Sequence, residues 1–258
     1  MLLVIDIGNT NTVMGVYDGQ RLVKDWRLRT VRNTTEDEVN IIMTSLFAQS
    51  GIRPEHIDRT IISSVVPPMV TILDSFCRKY LGYSPMWVNP ASYTGMPILY
   101  RNPADVGADR IVNGVAAFEK YRQSLIIIDF GTATTFDSIS AKGEYLGGAI
   151  SPGIMIAAEA LFMKASKLPR VEIYRPPVSV IGKDTTTSIQ SGIIYGYAGL
   201  VDGMVRRIRG EMGSAPKVIA TGGLAELMHN VSETIEAVEP LLTLDGLRII
   251  AAEMGQGR

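Results

Sequence analysis

Two short stretches hold residue types that can bind an anion and a cation together. Near the start, Asp6-Ile7-Gly8-Asn9-Thr10-Asn11-Thr12-Val13 sets a carboxylate two residues ahead of a glycine and follows it with four amide or hydroxyl side chains. In the middle of the chain, Asp129-Phe130-Gly131-Thr132-Ala133-Thr134-Thr135 repeats that pattern. A glycine lets backbone N–H groups come close to phosphate oxygens, and Thr and Asn add donors without bulk. A carboxylate at the end of a strand can anchor a hydrated Mg²⁺, which keeps several waters and takes few protein carboxylates. For either copy alone, an ordinary hairpin turn with a capping Asp is an equal reading; hydroxyl groups kept in both copies favour a phosphate site. A third stretch, NPADVGADR, has Asp105 and Asp109 either side of Gly107. A helix starting near Ala108 puts Asp109 in its first turn, where the macrodipole favours an ionised carboxylate. That carboxylate can accept a proton from a substrate hydroxyl, and Arg110 can pair with a carboxylate or a phosphate. The alternative there is a capping Asp beside a surface Arg. Tyr100, just ahead of this stretch, can line a pocket.

The elements that must position these residues follow from the pattern around them. Placing Asp6 on Asp129 also places Gly8 on Gly131, Asn9 on Thr132, Asn11 on Thr134 and Thr12 on Thr135, an offset of 123 residues in a chain of 258. Repeats of a solenoid are far shorter, so this spacing points to a duplicated unit. Each copy reads as an apolar strand, a tight turn and a second strand, TVMGVY in one and TTFDSI in the other. Further strands are expected at RLVKDWRL, TIISSVV and KVIATGG. Thr35 and Glu38 have capping-box spacing ahead of a helix that Gly51 stops; Pro67 and Pro68 open another that runs to about Leu81, with Gly82 as its breaker. Apolar residues at helical spacing in RIVNGVAAFEKY mark a helix that holds the domain boundary, giving domains 1–117 and 118–258. The second half continues with a Gly-rich bend, LGGAISPGI, a helix through about Lys167, and a long helix from about Thr185 to Met212. Gly192, Gly196, Gly199 and Gly203 weaken that helix or give it a smooth face. Terminal helices close the chain.

Composition narrows the function classes. With 25 basic and 26 acidic residues the net charge is −1, which gives no electrostatic reason for a nucleic-acid or membrane partner. The single Cys77 excludes an internal disulfide and a cysteine zinc site, and His56 and His229 leave little for metal chemistry. Cys77 reads as a small core residue in a helix. The first apolar run breaks at Asp6, too early for a signal peptide, and no run approaches the length of a membrane span, so the cytoplasm is the expected location. Neither GxxxxGK[ST] nor GxGxxG occurs, so a phosphate site here must be of the two-hairpin kind.

DIGNTNT, GADR, DFGTATTFD, GGAISPG, IGKDT followed by SIQSG, and ATGG, in this order over essentially the whole chain, resemble the type III pantothenate kinases. The resemblance implies an α/β fold of two tandem duplicated actin-like (ribonuclease H-like) domains with a nucleotide cleft between them, in the superfamily of acetate and sugar kinases, heat-shock ATPases and actin. It implies ATP-dependent phosphorylation of pantothenate to 4'-phosphopantothenate, with Mg²⁺, a monovalent cation (K⁺ or NH₄⁺) and a homodimer. Carried onto this chain, Asp6 through Val13 form the first phosphate loop, with Asp6 on Mg²⁺, directly or through water. Asp109 is the catalytic proton acceptor. Tyr100, Gly107, Ala108, Asp109 and Arg110 contact pantothenate, Asp129 binds K⁺, and Thr132 contacts ATP. Thr185 also contacts pantothenate, although the run Thr185-Thr186-Thr187 leaves the choice of threonine open, and Asp184 stands where Asn is expected. Two other classes stay open: a nucleotide-responsive regulatory protein without turnover, and a kinase for another small hydroxy acid.

Overall fold

The computed structural model describes residues 1–90, 93 and 95–256. The chain divides into two compact units. The first comprises Met1–Ala116 and returns for Leu242–Arg258, and the second comprises Ala117–Leu241. The division falls inside the helix that carries RIVNGVAAFEKY. It is not a single cut at 117, because the last helix joins the first unit.

In the first unit, β1 (Leu2–Ile7), β2 (Asn11–Asp18), β3 (Arg21–Arg29), β4 (Arg59–Ser64) and β5 (Met86–Trp87) form one sheet in the order β3-β2-β1-β4-β5. β1 to β3 are antiparallel, whereas β4 and β5 run parallel to β1. β1 is central and buried on both faces, which is why Leu2 to Ile5 form an unbroken apolar run. Leu3, Ile5 and Ile7 pack with Met43 and Phe47 of α1 (Glu36–Gln49) and with Met69, Leu73 and Phe76 of α2 (Pro67–Phe76). The expected capping box is present: Glu38 N–H donates to Thr35 Oγ1 at 3.3 Å and Thr35 N–H to Glu38 Oε2 at 2.8 Å. After α2 the chain widens into a π turn, Cys77–Leu81, with Cys77 fully buried. Two further helices complete the unit: the first part of α3 (Ala108–Tyr121), and α7 (Leu242–Gln256), which packs on β1, β2 and β4.

The second unit repeats this plan. β6 (Leu125–Phe130), β7 (Ala133–Ile139), β8 (Tyr145–Pro152), β9 (Lys217–Gly222) and β10 (Ala237–Val238) stand in the order β10-β9-β6-β7-β8, matching β1 to β5 strand for strand. Even an irregularity is shared: the register shifts between Val16 and Tyr17, where β3 carries the extra residue Val23, and between Ser138 and Ile139, where β8 carries Leu146. The core sets Ile126, Ile128 and Phe130 against Ile194, Val201 and Val205 of α5 (Thr185–Met212) and Met228 of α6 (Ala225–His229). α4 (Ile154–Lys164) packs against α5.

One expectation is corrected and one is met. LGGAISP is not a bend but most of strand β8, because the glycines still pair with β7, Gly147 against Ser138 and Gly148 against Asp137. α5 is continuous over 28 residues despite its glycines. A Cβ at Gly192, Gly196 or Gly199 would meet nothing within 4 Å, so these residues leave an open face rather than a break.

Candidate active site

Both turns lie at the C-terminal ends of central strands, the edge at which open α/β sheets bind ligands. In the first, Gly8 N–H donates to Asn11 O at 3.0 Å, closing a three-residue tip of Gly8, Asn9 and Thr10. Asn9 and Thr10 are exposed, Ile7 is fully buried, and Thr12 is buried with its hydroxyl 3.0 Å from that of Thr30. The loop thus offers backbone and tip groups to a ligand, while Ile7 and Thr12 anchor it. Asp6, which pairs in register with Ser63 of β4, accepts a hydrogen bond from the Ser63 hydroxyl at 2.5 Å. Ser63 is fully buried and sits inside the apolar-looking TIISS, so nothing in the sequence singled it out.

The second turn is shorter. Gly131 N–H donates to Ala133 O at 3.0 Å, and only Gly131 and Thr132 separate the strands. The ungapped pairing of Asn11 with Thr134 and Thr12 with Thr135 is therefore corrected. Thr12 faces Ile7 across the ladder, and the residue that faces Phe130 is Thr134. Side chains alternate across a strand, so a turn one residue shorter must shift the pairing by one to keep the same face buried. Thr12 and Thr134 are both buried, and Asn11 corresponds to Ala133.

Asp129 is half-buried and pairs in register with Thr221 of β9. The following Gly222 has φ of +92°, and a Cβ there would stand 2.6 Å from Asp129 Oδ1 and 2.7 Å from Phe130 O. One carboxylate oxygen and one carbonyl oxygen thus border a space that only glycine leaves open. Oxygen donors of this kind fit a hard cation, and the lone Asp6 carboxylate fits a Mg²⁺ that keeps its waters. No group of three His, Cys, Asp or Glu able to hold a metal occurs among the described residues.

Asp109 lies in the first turn of α3, as its sequence position predicts. It is half-buried and accepts a hydrogen bond from Arg110 N–H at 2.9 Å. Desolvation raises its carboxyl above the ordinary carboxylate range, opposed by that N–H and by the Arg110 guanidinium. A carboxylate of raised basicity is suited to accept a proton. Arg110 is only 7 % exposed, which removes the surface-Arg alternative. Ala108 is buried, Gly107 partly so, and Tyr100 lies exposed ahead of the short 3₁₀ turn Pro103–Asp105.

In the second unit, Thr185 is the first residue of α5 and borders a groove of about 670 Å³ with Leu161, Lys183, Ser188 and Gly192. Asp184 is the N-cap, accepting from Thr187 N–H at 2.8 Å, while the Thr187 hydroxyl lies against the Lys183 and Asp184 backbone. That capping box occupies Thr187. It also accounts for an Asp where Asn was expected, since both serve as N-caps.

The profile of the type III pantothenate kinase family matches residues 2–207. A protein from Desulfatibacillum aliphaticivorans called type III pantothenate kinase is 69% identical over 250 residues, 97% of each chain. Among solved structures, a conserved Campylobacter jejuni protein described as a Baf family transcriptional activator matches at a TM-score of 0.61 and 18% identity, covering 98% of this chain and 99% of its own. An ROK hexokinase from Thermus thermophilus matches at 0.52 and 13%, covering 100% and 99%. These two likenesses speak for the fold, an α/β architecture shared with sugar kinases. The family match and the identity along nearly the whole length speak for more: the chain belongs to the type III pantothenate kinase family.

Proposed function

We propose that this chain transfers the γ-phosphoryl group of ATP to the primary hydroxyl of pantothenate, giving 4'-phosphopantothenate in the first step of coenzyme A biosynthesis. The observation that carries the reading is 69% identity over 97% of the chain to a relative bearing that name. The local geometry agrees with it. Phosphoryl transfer is mostly positioning and charge stabilisation. The exposed backbone and side chains of Asn9 and Thr10, and Thr132 in the second turn, are the groups assigned to the ATP phosphates. Asp109 orients the acceptor hydroxyl and takes its proton, and Arg110, Gly107, Ala108, Tyr100 and Thr185 are assigned to pantothenate. Asp6 would hold Mg²⁺ through water and Asp129 would hold K⁺ or NH₄⁺, and these cations would offset phosphate charge. The protein would work in the cytoplasm.

A homodimer is part of the same reading. On α4, Met155, Ile156, Phe162 and Met163 are exposed, and the glycine face of the neighbouring α5 is open. A second copy is the partner assigned to that apolar face.

A coupled assay of ADP release with pantothenate and with other hydroxy acids, with and without K⁺, tests the reading. Pantothenate-dependent, K⁺-stimulated turnover is expected. Faster turnover of a different hydroxy acid, or nucleotide binding without turnover of any acceptor, overturns it.

A further inference from the structure

The two turns are held by different means. Thr30, the residue immediately after β3, touches the first turn at three points. Its N–H donates to Thr10 O at 3.0 Å, its hydroxyl donates to Gly8 O at 2.7 Å, and its Oγ1 lies 3.0 Å from Thr12 Oγ1. Two residues on, the Arg32 guanidinium donates to Asn9 Oδ1 at 2.9 Å, which leaves the amide nitrogen as the end of Asn9 able to donate to an anion. Gly8, Asn9, Thr10 and Thr12 are thus each tied to the segment that leaves β3.

By register, the counterpart of Thr30 in the second unit is Gly153, immediately after β8. The backbone bond is kept, since Gly153 N–H donates to Thr132 O at 3.1 Å. The side chain is not. A Cβ at Gly153 would stand 2.1 Å from Thr132 O, so no hydroxyl clasp fits there. Thr134, the counterpart of Thr12, is fully buried, and its hydroxyl has no hydrogen-bond partner among the described residues. The clasp therefore belongs to the first turn by sequence, not to the hairpin geometry both turns share.

We propose that Thr30 is a positioning residue for the nucleotide: it fixes the Gly8 to Thr12 turn in the shape that receives the ATP phosphates, with Arg32 setting the Asn9 amide. The proposal rests on the first turn being a phosphate loop, as the reading above has it. It does not depend on pantothenate being the acceptor. Fixing the loop before binding removes an ordering cost that would otherwise reduce affinity.

The test compares Thr30→Val, which keeps the shape and removes the hydroxyl, with Thr30→Ser, which restores it. Affinity for Mg·ATP is measured calorimetrically without acceptor, alongside the KM values for ATP and pantothenate and the unfolding temperature. Thr30→Val is expected to weaken ATP binding about five- to tenfold, the loss that follows from one or two hydrogen bonds, and to raise KM for ATP with KM for pantothenate unchanged. Thr30→Ser should return to within about twofold of the parent on the same reasoning. Unchanged ATP affinity in a Thr30→Val protein that merely unfolds at lower temperature overturns the proposal, as does failure of Thr30→Ser to rescue. Absence of ATP binding by the unaltered protein also overturns it, whereas ATP binding without pantothenate turnover removes only the acceptor assignment.

Discussion

At the scale of single residues, Asp109 combines a cost to the fold with the proposed role of proton acceptor. Its carboxyl is pushed above the ordinary value of 3.8 chiefly by desolvation, so the folded chain holds that proton more tightly than the unfolded chain does. Above the folded pKa the ionised group therefore detracts from stability. The deficit shrinks as pH falls through the folded pKa and is gone by the ordinary value. Asp109→Asn removes the charge and the deficit with it, so at neutral pH this variant should unfold at a higher temperature than the parent, with the gap closing as pH falls toward about 4. Its turnover should drop about a hundred- to ten-thousandfold, the range for loss of a positioned base. The parent kcat/KM should decline on the acid side as Asp109 takes up its proton. A variant that kept full turnover, or lost stability at neutral pH, would separate Asp109 from the role of base. Position and residue type made Asp109 visible in the sequence. The residues that support the first turn were not visible: Ser63 of β4 and Thr30 just after β3 are unremarkable in sequence, and their value lies in partners 57 and 22 positions away, Asp6 and Gly8.

At the scale of elements, the features legible in the sequence were those set by local rules. The capping box at Thr35, the stops at Gly51 and Gly82, which have positive φ, and the first turn of α3 each depend on residues within one helical turn. The duplication was legible because it repeats a motif. Its one-residue shift was not, because an ungapped comparison cannot sense a shortened turn that the pleat then compensates. Strand β8 was missed because three of its signals, two glycines and a proline, are those of a bend, whereas pairing with β7 supplies the order that propensity lacks. The start of α5 shows the reverse case, where a departure from the expected residue has a local explanation. Asp184 caps the helix through Thr187 N–H, and this bond also lowers the Asp184 carboxyl below its ordinary range. Asp184→Asn should therefore leave the unfolding temperature nearly unchanged, and Asp184→Ala should lower it by about 2–4 °C. KM for pantothenate should rise in the Ala variant, because Thr185 is the first residue of the helix that the cap fixes. Equal stability of all three proteins in thermal melts would mean that the box does not hold this helix end.

At the scale of the whole molecule, the second unit leaves several large apolar side chains in water close together in sequence. Met163 is 68% exposed and Ile181 70% exposed, with Met155, Ile156 and Phe162 on the same short helix as Met163. Beside them the open glycine face of α5 would let another backbone approach closely. A net charge of −1 offers little repulsion against association. In a twofold dimer each interface residue occurs twice, so one substitution places two charges in the contact. Met163→Glu and Phe162→Glu are accordingly expected to shift the protein from dimer to monomer in sedimentation equilibrium at micromolar concentration, without loss of the helical signal in circular dichroism. Burying an unpaired carboxylate is costly enough to overturn an interface of ordinary size. The same substitutions on a solvent-facing helix would leave the mass unchanged and, if anything, improve solubility. A parent protein that sediments at 28.1 kDa would thus remove the dimer and leave the apolar face of α4 to some other partner.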